Sequence, residues 1–249
     1  MMPSNVCILD LETQHSADDC RWCMAPDAQH HADGACAAWE GERPPASVHQ
    51  FAPIGWDAKL ALGLSVGCYW DGADAQLHWF DPPTLEATVR LFVARQPLLV
   101  SFNGITFDFA LMRALLRHEA ERRRLNDDET APTVDHAAER AGALMDLCDA
   151  FKTLCSTSYD ILRELWKQDP TRKHERGLNS LDALCRANGL PVKEMTGAEA
   201  PRLWREGRYA EVIQYNAGDA MRTKALFTMI CAGQPILCGD GQPITLPRP

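Results

Sequence analysis

Two carboxylates two residues apart, Asp10 and Glu12, stand at the end of an apolar run near the start of the chain. The run predicts a buried β-strand over about residues 6–13, and its period of two places both carboxylates on one face. Ionised carboxylates in such a place are costly unless a positive group meets them. The pair therefore indicates either a metal-ion site or two solvated acids at the end of a strand that leaves the core.

Two further segments carry acids where such a site could be completed. Asp108 lies in the first turn of a helix predicted over 105–124, where the helix dipole favours an acid on grounds of stability alone. Tyr215 and Asp219 are four residues apart in a long helix predicted over 207–231, so they share one face of it. Each spacing is common by itself, and the case for a site rests on the three segments together.

The elements predicted along the chain are those of an α/β protein. Besides the first strand, we predict strands over 60–69, 75–80 and 98–102, helices over about 82–96, 105–124, 156–168, 181–187 and 207–231, and a polar loop over 126–140. Ser180 is expected to cap the helix that follows it. Three early strands followed by strands alternating with helices indicate a mixed sheet flanked by helices.

The length and composition indicate one domain. A chain of 249 residues, 46% of them apolar, can bury one substantial core, so we expect a single domain over 1–249. Residues 14–57 are rich in Asp, His, Ala, Pro and Cys and show no sustained helical or strand period. They are therefore predicted to be an irregular insertion after the first strand.

The net charge of −9 argues at first against a nucleic-acid partner, because phosphate binding relies on local Lys and Arg. Of the 25 basic and 34 acidic residues, however, 5 and 14 lie within 1–110, so the acidic excess belongs to that part of the chain. The later basic clusters, Arg122–Arg124 and the group from Arg163 to Arg176, can either follow a phosphate backbone or form solvated helix faces.

No apolar stretch approaches the roughly 20 residues of a membrane helix, so we expect no membrane partner and a cytoplasmic location. Ten cysteines without an export signal fit thiols or metal ligands better than a disulfide framework. Within the insertion, Cys20, Cys23, His31 and Cys36 come close to a structural zinc knuckle. Their spacing is longer than usual, and an irregular loop with incidental thiols is the alternative.

Together, the three acidic segments resemble the DEDD superfamily of 3′–5′ exonucleases, whose members have a ribonuclease H-like fold. The matching segments are, in chain order, Asp10-Leu-Glu12-Thr13, Asn103 through Phe107-Asp108, and Tyr215-x-x-x-Asp219. The tyrosine indicates the DEDDy branch, and the pattern is most similar to proofreading exonuclease domains of family-B DNA polymerases and their stand-alone relatives. In the sister branch a histidine stands five residues before the last aspartate, where this chain has Gln214.

The resemblance implies two Mg²⁺ or Mn²⁺ ions at four carboxylates. Asp10 would bridge both ions, Glu12 and Asp219 would complete the first site, and Asp108 would hold the second. Hard oxygen ligands suit these cations, and two such ions stabilise both the attacking and the leaving oxygen of a phosphodiester hydrolysis. The resemblance further implies that Tyr215, together with Glu12, orients the attacking water.

The same resemblance implies that Thr13, Asn103 and Phe107 position the terminal nucleotide. For Phe107 a place in the core is an equal alternative, and Thr13 can simply continue the strand. Aromatic stacking tolerates any base, which suits an enzyme that works along one strand.

The expected function is therefore a metal-dependent 3′–5′ exonuclease acting on single-stranded nucleic acid, with DNA favoured over RNA. A 3′–5′ exoribonuclease of the same chemistry is one alternative, and a non-catalytic nucleic-acid-binding module with a nuclease fold is another. The intact set of acids favours catalysis, because a binding module need not retain every metal ligand. A replication or repair protein is the expected protein partner.

Overall fold

The structure is a computed structural model that describes residues 2–20, 53–125, 134–175, 177–193 and 195–249, with residues 134–138 described by their backbone only. Most of the predicted insertion lies outside the described residues. That part includes Cys23, His31 and Cys36 of the predicted zinc site, so this site stays a prediction. The remaining member, Cys20, is buried, and its backbone forms an isolated β-bridge with Pro53.

A five-stranded mixed sheet organises the described part of the chain. Its strands are β1 (Val6–Thr13), β2 (Leu64–Asp71), β3 (Gln76–Phe80), β4 (Leu98–Ser101) and β5 (Tyr159–Asp160). The spatial order is β3-β2-β1-β4-β5. The first three strands form an antiparallel meander, and β4 and β5 run parallel to β1. The strand that carries the acidic pair is therefore the central one.

Helices cover both faces of this sheet. They are α1 (Lys59–Leu62), α2 (Leu85–Arg95), α3 (Asp108–Leu125), α4 (Val134–Ser156), α5 (Ile161–Gln168), α6 (Leu181–Ala187), α7 (Ala200–Arg205) and α8 (Tyr209–Cys231), and a small hairpin of β6 (Ile236–Leu237) and β7 (Pro243–Ile244) follows. No helix among the described residues has the length and apolar character needed to cross a membrane.

The alternation of side chains along β1 divides the core into two layers. Cys7, Leu9 and Leu11 pack against α2, α3 and α4, whereas Val6 and Ile8 pack against α5, α6 and α8. The predicted α/β class with a mixed sheet flanked by helices is thereby confirmed, and the arrangement is consistent with a ribonuclease H-like exonuclease fold.

Some predicted elements were wrong in extent. Residues 60–62, predicted as strand, form the end of α1, and β2 begins only after Gly63, whose φ of +63° ends the helix. A short apolar run does not distinguish helix from strand by its period. Residues 134–140, predicted as loop, belong to α4, because a polar stretch can continue a helix whose apolar residues come later.

The sheet register places the acidic pair at an opening. Pairing between β1 and β4 ends at Ile8 opposite Val100, whereas pairing with β2 continues past Asp10 and Glu12. The two carboxylates therefore lie beyond the last hydrogen-bonded pair of the parallel strands. In α/β sheets, the crevice at the carboxyl ends of parallel strands is where ligands bind.

Candidate active site

The structure brings the three acidic segments together at the carboxyl end of β1. Carboxylate oxygens of Asp10, Glu12 and Asp219 lie within 4.8 Å of one another. Asp108 stands beside them at the start of α3, close enough for its charge to raise the pKa values of Asp10 and Glu12. Although the first and last of these residues are 209 positions apart in the numbering, α8 packs across β1 and closes that distance.

Burial and repulsion between carboxylates raise the pKa values of Asp10, Glu12 and Asp108. The pKa of Asp10 and that of Glu12 lie well above the ordinary value, first because burial disfavours the charged form and next because Asp219 is close. Burial, followed by repulsion from Asp160, raises the pKa of Asp108 to about 7. A divalent cation would relieve this repulsion. The ligand set is entirely carboxylate oxygen, so the residues present fit Mg²⁺ or Mn²⁺.

Two cationic side chains hold Asp219, and the sequence analysis identified neither as part of the site. The Lys193 ammonium donates to Asp219 Oδ2 at 2.5 Å and to Tyr215 Oη at 2.8 Å. Arg222 donates to Asp219 Oδ1 through Nη2 at 2.7 Å and through Nε at 3.0 Å. Helical spacing could have indicated Arg222, which lies three residues after Asp219 on α8.

Lys193 could not have been found in this way, because it lies on the connection between α6 and α7. Its backbone N–H donates to Asp182 Oδ1 at 3.0 Å, which fixes this connection to the first turn of α6. Nothing in the local sequence around Lys193 marks it as a partner of the acids.

Asn216 is a further residue that the sequence analysis missed. Its amide nitrogen donates to Asp10 Oδ2 at 2.7 Å, and its side chain is fully buried. The amide oxygen of Asn216 has no hydrogen-bond partner among the described residues. The contact orients the Asp10 carboxylate, since one of its two oxygens is held by the amide.

Asp160 positions the loop that leads to Asp108. Its carboxylate, 1% exposed, accepts hydrogen bonds from the backbone N–H groups of Asn103 at 3.0 Å, Ile105 at 3.1 Å and Arg163 at 3.2 Å. These donors lie at the end of β4 and at the start of α5. Asp160 therefore joins the loop after β4 to the neighbouring helix, and it was not predicted.

The turn after β4 depends on two residues with unusual backbone requirements. Asn103 has a φ of +67°, a left-handed conformation that Asn tolerates better than most residues. A Cβ on Gly104 would lie 2.5 Å from the Ser101 side chain and 2.9 Å from Asp108 Oδ2. The absence of a side chain at Gly104 therefore lets the Asp108 carboxylate approach the turn.

Of the three residues predicted to position a nucleotide, Asn103 lines the same cleft as Asp10 and Asp219, whereas Thr13 and Phe107 adjoin Glu12 and Asp108 in the sequence. The Thr13 hydroxyl is buried and donates to the carbonyl of His15 at 2.8 Å. The Asn103 side chain accepts a hydrogen bond from the Thr106 hydroxyl at 2.6 Å. Phe107 is partly buried beside α1. Their predicted roles toward a nucleotide stay predictions.

A cleft of about 390 Å³ opens beside Asp10 and Asp219. Its volume lies within the range of pockets that hold small ligands. Its lining contains both apolar and polar side chains. Among them are Phe102, Leu162, Trp166, Asn103, Lys173, Asn179 and Lys193. The cleft therefore combines aromatic surface with cationic and amide groups next to the acids.

The two basic clusters of the sequence differ in the structure. Arg122 and Arg123 both pair with Glu119 of the same helix, as expected of a solvated helix face with ion pairs along it. In the second cluster, Arg172 is buried and pairs with Asp240, so its charge is used within the fold. Lys173 of the same cluster lines the cleft beside Asp10 and Asp219.

A family model described as a predicted 3′-5′ exonuclease related to the exonuclease domain of PolB matches residues 84–234, which is more than half of the chain. The matched region contains Asp108, Tyr215 and Asp219, and β1 with Asp10 and Glu12 precedes it. Comparison with curated proteins and with solved structures gave no match.

Proposed function

Because the chain belongs to the family of predicted 3′-5′ exonucleases related to the exonuclease domain of PolB, we propose that it removes nucleotides from the 3′ end of single-stranded DNA. The observation that supports this most strongly is the convergence of Asp10, Glu12 and Asp219 within 4.8 Å. Asp108 adds a fourth carboxylate beside them. An acidic cluster of this kind in a nucleic-acid enzyme calls for divalent metal.

We assign Asp10, Glu12 and Asp219 to one ion and Asp10 with Asp108 to a second, either Mg²⁺ or Mn²⁺ at both. Such ions, when bound, stabilise charge on the attacking and leaving oxygens of a phosphodiester. The protein's own contribution is to fix the carboxylates in place beforehand. Asn216 does this for Asp10 through the 2.7 Å hydrogen bond to Oδ2.

We place Tyr215 in the role that defines the DEDDy branch, the orientation of the attacking water together with Glu12. Burial, and next the charge of Asp219, raises the pKa of Tyr215 above its ordinary value. The phenol therefore stays protonated at neutral pH and acts as a hydrogen-bond donor rather than as a base. Lys193, which donates to both Tyr215 and Asp219, holds the phenol oxygen beside the carboxylates.

The cleft next to Asp10 is proposed to hold the terminal nucleotide. Phe102 and Trp166 provide aromatic surface in its lining, and Lys173 provides a cation. Stacking on such surface is independent of base identity, which an exonuclease requires as it moves along a strand. We further propose that residues 1–249 form one exonuclease domain with 14–57 inserted, a relative of proofreading domains that acts alongside a replication or repair protein.

The test is a time course on 5′-labelled single-stranded DNA and RNA of one sequence, with Mg²⁺, with Mn²⁺ and with chelator. We expect a ladder that shortens from the 3′ end only when metal is present. Asp10→Ala and Asp219→Ala should abolish it, and Tyr215→Phe should slow it. Asp146→Ala serves as the matched control, because Asp146 is an exposed acid on α4, a helix of the opposite layer.

Full activity of Asp10→Ala would refute the metal assignment. Binding without cleavage under every metal condition would replace the proposal by the non-catalytic binding module. Faster shortening of the RNA than of the DNA would identify an exoribonuclease of the same chemistry.

A further inference from the structure

An exposed tryptophan lies near the Asp108 side of the site. Trp56, just before α1, is 63% exposed, which makes it the most exposed tryptophan among the described residues. It comes from the end of the predicted insertion and belongs to none of the three acidic segments. An indole ring left in solvent contributes little burial free energy to the fold, and its face is open to a ligand.

Phe107 supports this ring. The two ring centroids are 5.6 Å apart at an interplanar angle of 69°, an edge-to-face contact. Phe107 in turn packs against a small buried cluster that includes Ile54 and Leu62. Asp108 follows Phe107 directly in the sequence, so the residue that contacts Trp56 is adjacent to one of the acids.

Lys59 completes the arrangement. Its ammonium nitrogen lies 4.4 Å from the centroid of the Phe107 ring and donates a hydrogen bond to the carbonyl oxygen of Trp56. The charge of Lys59 also acts on Asp108, where it opposes the rise in the pKa of the carboxyl. Phe107 therefore has neighbours on its ring, whereas the Trp56 ring is the one that solvent reaches.

We propose that Trp56, supported by Phe107, is the surface on which the next-to-last base of the substrate strand stacks, with the Lys59 ammonium contacting an adjoining phosphate. The inference rests on the proposed nuclease function and defines its substrate class further. A base can stack on Trp56 only if its own face is free, so the preferred substrate is a single-stranded or frayed 3′ end. Aromatic side chains next to cations are the usual means of holding single strands.

The test measures binding of 5′-fluorescein-labelled single-stranded DNA by fluorescence anisotropy. Ca²⁺ replaces Mg²⁺ so that the carboxylates are neutralised, and a gel verifies that the strand stays intact. Trp56→Ala should raise the Kd about 5-fold or more, the lower end of the range for one stacked base, and Trp56→Phe should recover part of the loss. Trp79→Ala is the matched control, since Trp79 is 43% exposed on the edge strand β3.

A second set of strands tests whether Trp56 meets a base. A strand with an abasic residue at the next-to-last position should bind the wild-type protein more weakly than the intact strand. At that position Trp56→Ala should cause no further loss. Lys59→Gln should reduce the slope of log Kd against log salt concentration by about 0.7, the value for one phosphate contact on a single strand.

Equal Kd values for Trp56→Ala and Trp79→Ala would overturn the inference, as would equal effects of Trp56→Ala on the intact strand and on the strand that is abasic at the next-to-last position. If either of these results is found while the wild-type protein still binds the strand and degrades it with Mg²⁺, the proposed nuclease function stands and only the role of Trp56 is refuted. A wild-type protein that neither binds nor degrades the strand would overturn both.

Discussion

Without divalent metal, the protein should lose stability as the pH rises above about 5. The pKa values of Asp10, Glu12 and Asp108 are raised in the folded protein, whereas in the unfolded chain these acids ionise near pH 4. Between the two pKa values the folded state holds protons that the unfolded state releases. The stability that each group contributes is therefore fully present below its unfolded pKa and is lost as the pH rises through its folded pKa.

The size of the effect can be worked out for Asp108. Its carboxyl is 4% exposed, and its pKa rises from 3.8 to about 7. Roughly three pH units at about 1.4 kcal/mol each give at most about 4 kcal/mol of lost stability. Domains are commonly stable by only about 5–15 kcal/mol, so a loss of this order is readily measured. The raised pKa values of Asp10 and Glu12 act with the same sign and add to the loss.

The assay is urea unfolding in chelator at about pH 5.5, 7 and 8.5, repeated with excess Mn²⁺. His15, whose pKa is lowered by burial, acts with the opposite sign at the acid end of this range. Comparison with Asp108→Asn separates the two contributions, because the variant keeps His15 and removes only the titrating carboxyl. The variant should show a flatter pH dependence, and Mn²⁺ at about 100 times its Kd should restore about 2.7 kcal/mol to the wild-type protein.

A free energy of unfolding that stays constant or rises with pH in chelator would refute this reasoning. Identical pH dependences for the wild-type protein and Asp108→Asn would also refute the part assigned to that carboxyl. In the measurements with Mn²⁺, the metal should stabilise the wild-type protein most at high pH, because the carboxylates are charged there.

Three further substitutions test the surroundings of the site. Lys193→Met should lower kcat about 10- to 100-fold, because it removes the donor that holds Tyr215. The double variant with Tyr215→Phe should lose less activity than the product of the two single fold-losses. A loss equal to that product would contradict the coupling of Lys193 and Tyr215. Asp160→Ala should reduce the free energy of unfolding by about 2–4 kcal/mol, because it leaves buried N–H groups unpaired; an unchanged urea midpoint would argue against its role. Arg95→Met should cost about 3–5 kcal/mol, because it leaves the buried Asp71 carboxylate unpaired, yet kcat measured where the protein is fully folded should not change.

Several elements could be predicted from the sequence because local rules decide them. β1 spans Val6–Thr13 as its alternating apolar run indicates. Ser180 caps α6 by accepting a hydrogen bond from the backbone N–H of Ala183, as its position before an apolar helix predicts. In both cases the residues that determine the structure lie within one short segment of the chain.

Elements that lack a local period were missed. β5 has two residues and α7 has six, too few for alternation or a helical stripe to appear. α1 was assigned to a strand because its apolar run continues into β2. These segments take their conformation from the surfaces on which they pack, and that information lies elsewhere in the chain.

The sequence by itself determined which acids could form a site, since Asp10 and Glu12 share a face of one strand, and Tyr215 and Asp219 share a face of one helix. Only the tertiary structure decided what surrounds them. Asn216 reaches Asp10 across 206 positions of chain, and Lys193, Asp160 and Trp56 come from connections or short elements without a motif. Their places depend on how α8, α6 and α1 pack around the end of β1, and such packing follows from the whole core rather than from the spacing of neighbouring residues.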